Sequence, residues 1–121
     1  MTAKSQKKNL GKPSETRKFK FGKSDLVTLG DTTVARVTLR PGWKWSKSLK
    51  PIVKTETCQL HHLGYAISGK VKVRTTEGTT LDLGPGDAYE ILPGHDAWVV
   101  GKETFLGLEF KSAAKIAKPA E

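Results

Sequence analysis

The sequence predicts an all-β domain, a sandwich or barrel, and three observations carry that prediction. Apolar and polar residues alternate in several short runs, the period of a half-buried strand. Turn signals punctuate those runs: Gly30-Asp31, Pro41-Gly42, Ser68-Gly69, Glu77-Gly78, Gly84-Pro85-Gly86-Asp87 and Pro93-Gly94. Roughly nine such runs recur every 6–12 residues, the spacing of antiparallel β folds. There is no internal repeat and no sign of a second domain, and 121 residues suffice for one modest core.

Each element has its own warrant. Residues 1–16 are polar and Lys-rich and read as a disordered arm. Arg17-Lys18-Phe19-Lys20-Phe21 alternates charge with aromatic, which suits an edge strand guarded by lysines. Residues 26–29 form a short strand, and the β-branched alternation of 33–39 a longer one. Trp43 and Trp45 share parity, so an extended chain puts both on one face. Residues 47–55 read as a loop. Residues 57–67 form the longest strand-like stretch. In 70–75 valines alternate with basic residues, and 79–83 closes a hairpin through Glu77-Gly78. Strands at 88–92, 97–100 and 104–110 follow. Ser112 is a natural N-cap and Pro119 a stop for a short helix over 112–118. The barrel domain is therefore 17–111, followed by a tail or short helix at 112–121.

Charge is unevenly placed. The formal net charge is +9, but residues 25–110 carry equal numbers of acidic and basic groups. The excess sits in the first 24 residues and the last 11. A basic folded face is not implied, so nucleic acid is not an expected partner. No apolar run approaches a membrane span, no secretory h-region opens the chain, and the single cysteine precludes an internal disulfide. A reducing, cytoplasmic setting is the expectation.

Two motifs carry a resemblance to a known family. His62-Leu63-Gly64-Tyr65-Ala66-Ile67-Ser68-Gly69 is similar to the second half of the first cupin motif, which usually reads Glu and then Tyr-Val-Leu-x-Gly. The run from Gly86 through Pro93-Gly94 resembles the second, one residue short between Pro and Gly. The resemblance spans residues 42–110 and implies a double-stranded β-helix, or jelly-roll barrel. Typical cupins hold a divalent metal with three histidines and a glutamate. Counting from Gly69, the glutamate position falls on His62 and two histidine positions on Glu56 and Cys58. Counting from Gly94, the fourth ligand position falls on Ala97. The Cys58-x-x-x-His62-x-Gly64-Tyr65 and His95-Asp96-Ala97-Trp98 pattern resembles a subgroup of small cupins with no settled substrate. Small cupins often dimerise through an edge or swapped strand, and the Phe19/Phe21 strand would do so here.

The residues themselves nominate a metal set. Glu56, Cys58 and His62 share parity on one predicted strand, where alternate residues lie roughly 6–7 Å apart. His95 arrives from another strand. A Glu56/Cys58/His62/His95 set suits zinc, which accepts O, S and N donors. The alternative is a metal-free barrel in which Cys58 packs as a small hydrophobe and His62 is a hydrogen-bonded core residue. His61 has the opposite parity and is read as structural. Asp96 is a candidate to orient a histidine. Trp43, Trp45, Tyr65 and Trp98 are candidates to line a small-molecule pocket. As a nucleophile, Cys58 would need a base within reach, and only His61 or His62 is near in sequence.

The reading is a small-molecule-binding barrel with a divalent metal at its mouth, used for sensing or simple metal-assisted chemistry. Two rivals stand beside it: a metal-dependent oxygenase, isomerase or lyase acting on a small oxygen-rich substrate, and a metal-free binding or scaffold barrel. A fold alone does not choose among them.

Overall fold

The computed structural model describes residues 4–119. Among the described residues nine strands form: β1 (Glu15–Phe19), β2 (Gly22–Leu29), β3 (Thr32–Leu39), β4 (His62–Ser68), β5 (Val71–Thr75), β6 (Thr80–Leu83), β7 (Ala88–Ile91), β8 (His95–Val99) and β9 (Phe105–Glu109). They build two antiparallel sheets, a six-stranded one in the order β1-β2-β3-β9-β4-β7 and a three-stranded one in the order β6-β5-β8. This is an all-β barrel, as the alternation predicts, in the jelly-roll form that the cupin resemblance implies. Among the described residues, no helix is long and apolar enough to cross a membrane.

Alternation decides which side chains enter the barrel. Ala35, Val37 and Leu39 of β3, Val71 and Val73 of β5, and Phe105 of β9 point inward and are buried. The intervening Arg36, Thr38 and Lys72 are only partly covered. β4 inverts the usual choice of sizes. Its buried residues are Gly64 and Ala66, whereas Leu63, Tyr65 and Ile67 are exposed on the outer face. The small inner residues leave space for Tyr89 of β7, opposite Gly64 in the register. The outer side of the first sheet is stitched by Asp25, which accepts from the Thr16 hydroxyl at 2.7 Å and lies 3.6 Å from Arg36.

Four local expectations are corrected. The first strand ends at Phe19, because Lys20 and Phe21 form the hairpin turn and Phe21 takes a positive φ of 64°. The 47–55 loop contains two single-turn helices, α1 (Trp45–Ser48) and α2 (Lys50–Val53), so Trp45 sits on a helix and does not pair with Trp43 along a strand. The 57–67 strand begins only at His62, and the chain before it makes one isolated bridge, Cys58 to His95. The helix over 112–118 is reduced to a 3-10 turn, Ala113–Lys115. Ser112 does not cap it because its hydroxyl is engaged by Glu109 at 2.7 Å.

The C-terminal segment nevertheless packs. Ile116 and Ala117 are buried, and Arg17 of β1 donates to the carbonyls of Ala114 (2.9 Å) and Ile116 (3.0 Å). Residues 115–119 thereby become part of the cavity wall.

Candidate metal centre

The site begins with a turn. Gly94 has a φ of 93°, a left-handed conformation that glycine adopts without strain, and it turns the chain into β8 at His95. Opposite it lies Cys58. Cys58 N–H donates to the His95 carbonyl at 2.8 Å, and Gly94 N–H donates to the Cys58 carbonyl at 2.8 Å. Directly opposed residues of an antiparallel pair project to the same face. Cys58 and His95 are both buried. His62 opens β4, and its ring meets that of His95 edge-on, with centroids 5.1 Å apart.

Cys58 Sγ lies 3.4 Å from His62 Nε2. One ligand atom each from Cys58, His62 and His95 falls within 4.8 Å of the others. In a straight strand residues four apart would be roughly 13 Å apart. The irregular chain between Cys58 and β4 brings them together instead.

The far side of each imidazole is fixed. His95 Nδ1 donates to the Leu92 carbonyl at 2.8 Å, which leaves Nε2 to face the cluster. His62 Nδ1 donates to Glu109 Oε1 at 2.6 Å, so its Nε2 faces the thiol. Glu109 is held in turn by the Tyr89 hydroxyl at 2.5 Å and by Ser112. Carboxylates and carbonyls behind ligating histidines set their tautomer and raise their basicity.

The electrostatics follow from burial and these contacts. Burial pushes the Cys58 thiol up, but hydrogen bonds from His62 and His95 and their charges outweigh it and bring it down to about 6. Burial pushes His62 down, yet the Cys58 and Glu109 contacts raise it to about 10. Burial also pushes Glu109 up, and His62, Tyr89 and Ser112 together hold it below the ordinary carboxylate range. Tyr89, buried beside that carboxylate, is pushed above the usual phenol range. The Cys58 and His62 shifts run in opposite directions and both favour the charged forms, a thiolate beside an imidazolium.

The donor set fits a divalent metal such as zinc. One thiolate and two imidazoles with fixed tautomers converge, and three protein ligands leave a coordination position open, as in catalytic zinc sites. Ala97, at the fourth ligand position of the resemblance, is buried in the same wall with only a methyl group to offer.

The structure does not bring every candidate to this point. Glu56 is corrected: its carboxylate is almost fully exposed and pairs with Lys50 at 3.0 Å, because the chain before Cys58 is not a strand and its parity does not carry over. Asp96 does not orient His95; its Oδ1 accepts the backbone N–H groups of Ser46 (3.1 Å) and Ala97 (2.9 Å), and so ties the first turn of α1 to β8. Tyr65 faces outward. Trp98 lies under Lys44, 5.5 Å from its ammonium, in a separate shallow cleft. Trp43 and Trp45 do line the main cavity. His61 faces outward and pairs with Glu90 at 2.7 Å. Glu109 and Tyr89 were not candidates, although each shares parity with an inward apolar neighbour, Phe105 and Ile91 respectively.

Behind the cluster, a cavity of about 370 Å³ runs into the barrel, within the usual range of ligand pockets.

No protein-family model matches the sequence, and no curated protein matches it. Solved structures do. A protein of unknown function from Rhizobium leguminosarum bv. viciae aligns over 89% of this chain and 96% of its own, at 22% identity and a TM-score of 0.64. A cupin-like protein from Thermotoga maritima aligns over 83% and 74%, at 17% identity and a TM-score of 0.53. The chain has a cupin fold. Ectoine synthase from P. lautus shares this cupin architecture over 88% and 78%, at 14% identity and a TM-score of 0.63. Likeness at these identities speaks to the barrel, and the chemistry of this chain is read from its own side chains.

Proposed function

We propose that this cupin-fold protein binds a small molecule in its barrel cavity with the help of a divalent metal, zinc by preference, held by Cys58, His62 and His95. The observation that carries this reading is the convergence of three ligand atoms within 4.8 Å, with both imidazoles already oriented from behind. A bound zinc supplies Lewis acidity, which polarises an oxygen of whatever occupies the open position. The chain's own part is to exclude water with the barrel wall and to keep His62 Nδ1 protonated against Glu109. The lone free thiol suits a reducing compartment such as the cytoplasm. The edge strand β1 leaves one side open for pairing with a second copy, so a homodimer belongs to the same proposal; light scattering that returns a pure monomer would remove it.

Elemental analysis of tag-free protein tests the metal. Near one zinc per chain is expected, retained in His61→Ala and lost in His62→Ala. No metal in the wild-type protein, with normal folding, overturns the reading.

A second reading is favoured by one observation, the line Cys58–His62–Glu109 with contacts of 3.4 and 2.6 Å. A thiolate, a histidine and an orienting carboxylate form a nucleophile set. The two readings compete for one sulfur. Rapid alkylation of Cys58 by iodoacetamide at pH 7 that zinc does not suppress would favour the nucleophile.

A further inference from the structure

From the chemistry of the cavity wall, we infer that the ligand is a predominantly apolar carboxylic acid, its acid group meeting the Cys58–His62–His95 cluster and its hydrocarbon lying along the barrel interior. This rests on the metal reading above and names the ligand class for that site.

The wall carries the inference. Leu39, Trp45, Val71, Leu83, Ile91 and Phe105 are buried residues that line the cavity and offer only carbon along its length, apart from one indole nitrogen. The interior polar groups are few and already committed. Tyr89 and Glu109 are bonded to each other, and Glu109 also takes His62 and Ser112. What remains free is the metal-ligating face of Cys58, His62 and His95, together with the buried, unpartnered indole N–H of Trp43. The other polar lining residues, Thr55, Gln59, Lys115 and Lys118, are partly or fully exposed and belong to the rim. An oxygen-rich molecule brings several hydroxyls, each of which loses its hydration on entry, and beyond the single Trp43 N–H such a wall has no partner for them. A molecule with one polar head and an apolar body loses nothing of that kind. The volume of about 370 Å³ holds roughly a dozen non-hydrogen atoms at a water's share of ~30 Å³ each. The charge of the head follows from its surroundings: a metal cation at one end and the exposed Lys115 and Lys118 at the rim both favour an anion. A carboxylate is also a fitting oxygen donor for zinc.

The test uses the full-length, tag-free protein loaded with zinc, its metal content measured beforehand. Butanoate, hexanoate, octanoate and gluconate are the probes. Trp43 and Trp45 line the cavity, so their emission reports entry. Each buried methylene should tighten binding about fourfold, which makes octanoate on the order of 200-fold tighter than butanoate. Gluconate should not bind measurably, and chelation by EDTA should weaken octanoate at least tenfold. A Tyr65→Lys variant, altered on the outer face, should bind octanoate unchanged, which places the site inside the barrel. With zinc at one per chain, gluconate binding as well as octanoate, or affinities indifferent to chain length, would overturn this inference and leave the metal reading standing. Absence of zinc would overturn the metal reading and the anchoring of the head group together. The octanoate-to-butanoate ratio on that same metal-free protein would then decide the apolar class alone: a flat ratio overturns it too.

Discussion

His62 Nδ1 and Glu109 Oε1 lie 2.6 Å apart, and that contact joins β4 to β9 directly behind the candidate metal ligand. Glu109→Gln keeps the shape and removes the charge that holds the proton on Nδ1. Zinc affinity should fall about 10–100-fold, the usual cost of losing a carboxylate behind a ligating histidine. A competition titration against a chromophoric chelator measures it. An unchanged affinity would mean that Glu109 serves packing alone. Glu109→Ala goes further, leaving Tyr89 and Ser112 without their acceptor, and should cost about 3 kcal/mol in urea unfolding.

Gly64 makes the space for that arrangement. A Cβ built on it would lie 2.6 Å from the Tyr89 hydroxyl and against the Leu108 carbonyl, which is backbone and cannot give way. Gly64→Ala should therefore destabilise the barrel by roughly 2–4 kcal/mol and push Tyr89 off Glu109. A urea midpoint within error of the wild type would show that β4 has more freedom than its packing indicates.

The pH dependence of the metal-free protein follows from two opposed shifts. The thiol of Cys58 falls from 9.0 to about 6 on folding, so its contribution is present above pH 9 and lost as pH falls through 6. His62 rises from 6.5 to about 10, so its contribution is present below pH 6.5 and lost as pH rises through 10. Between about 6.5 and 9 the unfolded state binds the thiol proton and the folded state binds the imidazole proton, and the two slopes cancel. Urea midpoints should be level across that window and fall as pH climbs from 9 to 10. At the acid end, Glu109 is held below its ordinary range, so its contribution is lost as pH falls through its lowered value. A steady slope across the neutral window would contradict the paired thiolate and imidazolium.

Arg17 clasps the C-terminal segment through two carbonyls. Arg17→Ala should leave the barrel intact and expose the segment, so that trypsin cuts after Lys115 several-fold faster, with a loss of about 1–2 kcal/mol in global stability. Equal cleavage rates in variant and wild type would show that the burial of Ile116 suffices to hold it.

The barrel was legible in the sequence because its signals are local. Valines alternating with basic residues on β5, and Pro-Gly turns before Trp43 and His95, act within a few residues and owe little to tertiary context. The site was legible only in part, for a physical reason. Cys58, His62 and His95 could be nominated by residue type, but the parity that tied Glu56 to them assumes a continuous strand, and the chain breaks strand geometry between Cys58 and His62. Glu109 stands 47 residues beyond His62 in the chain, and its role depends on β9 pairing with β4, a long-range choice that no local pattern encodes. Asp96 sits next to His95, yet alternation turns it to the opposite face, where it ties α1 to β8. Adjacency in sequence was misleading there, and the alternation of β8 itself was the better guide.

The segment that folds over the cavity wall has a kinetic consequence. Ile116 and Ala117 are buried against the barrel while residues 115–119 line the cavity, so a lifting of this segment would widen the path by which a molecule inside meets solvent. Such an opening would shorten residence time, while affinity stays with the wall and the head group. Loosening the clasp at Arg17 should therefore speed entry and exit alike while the equilibrium stays close to where it was.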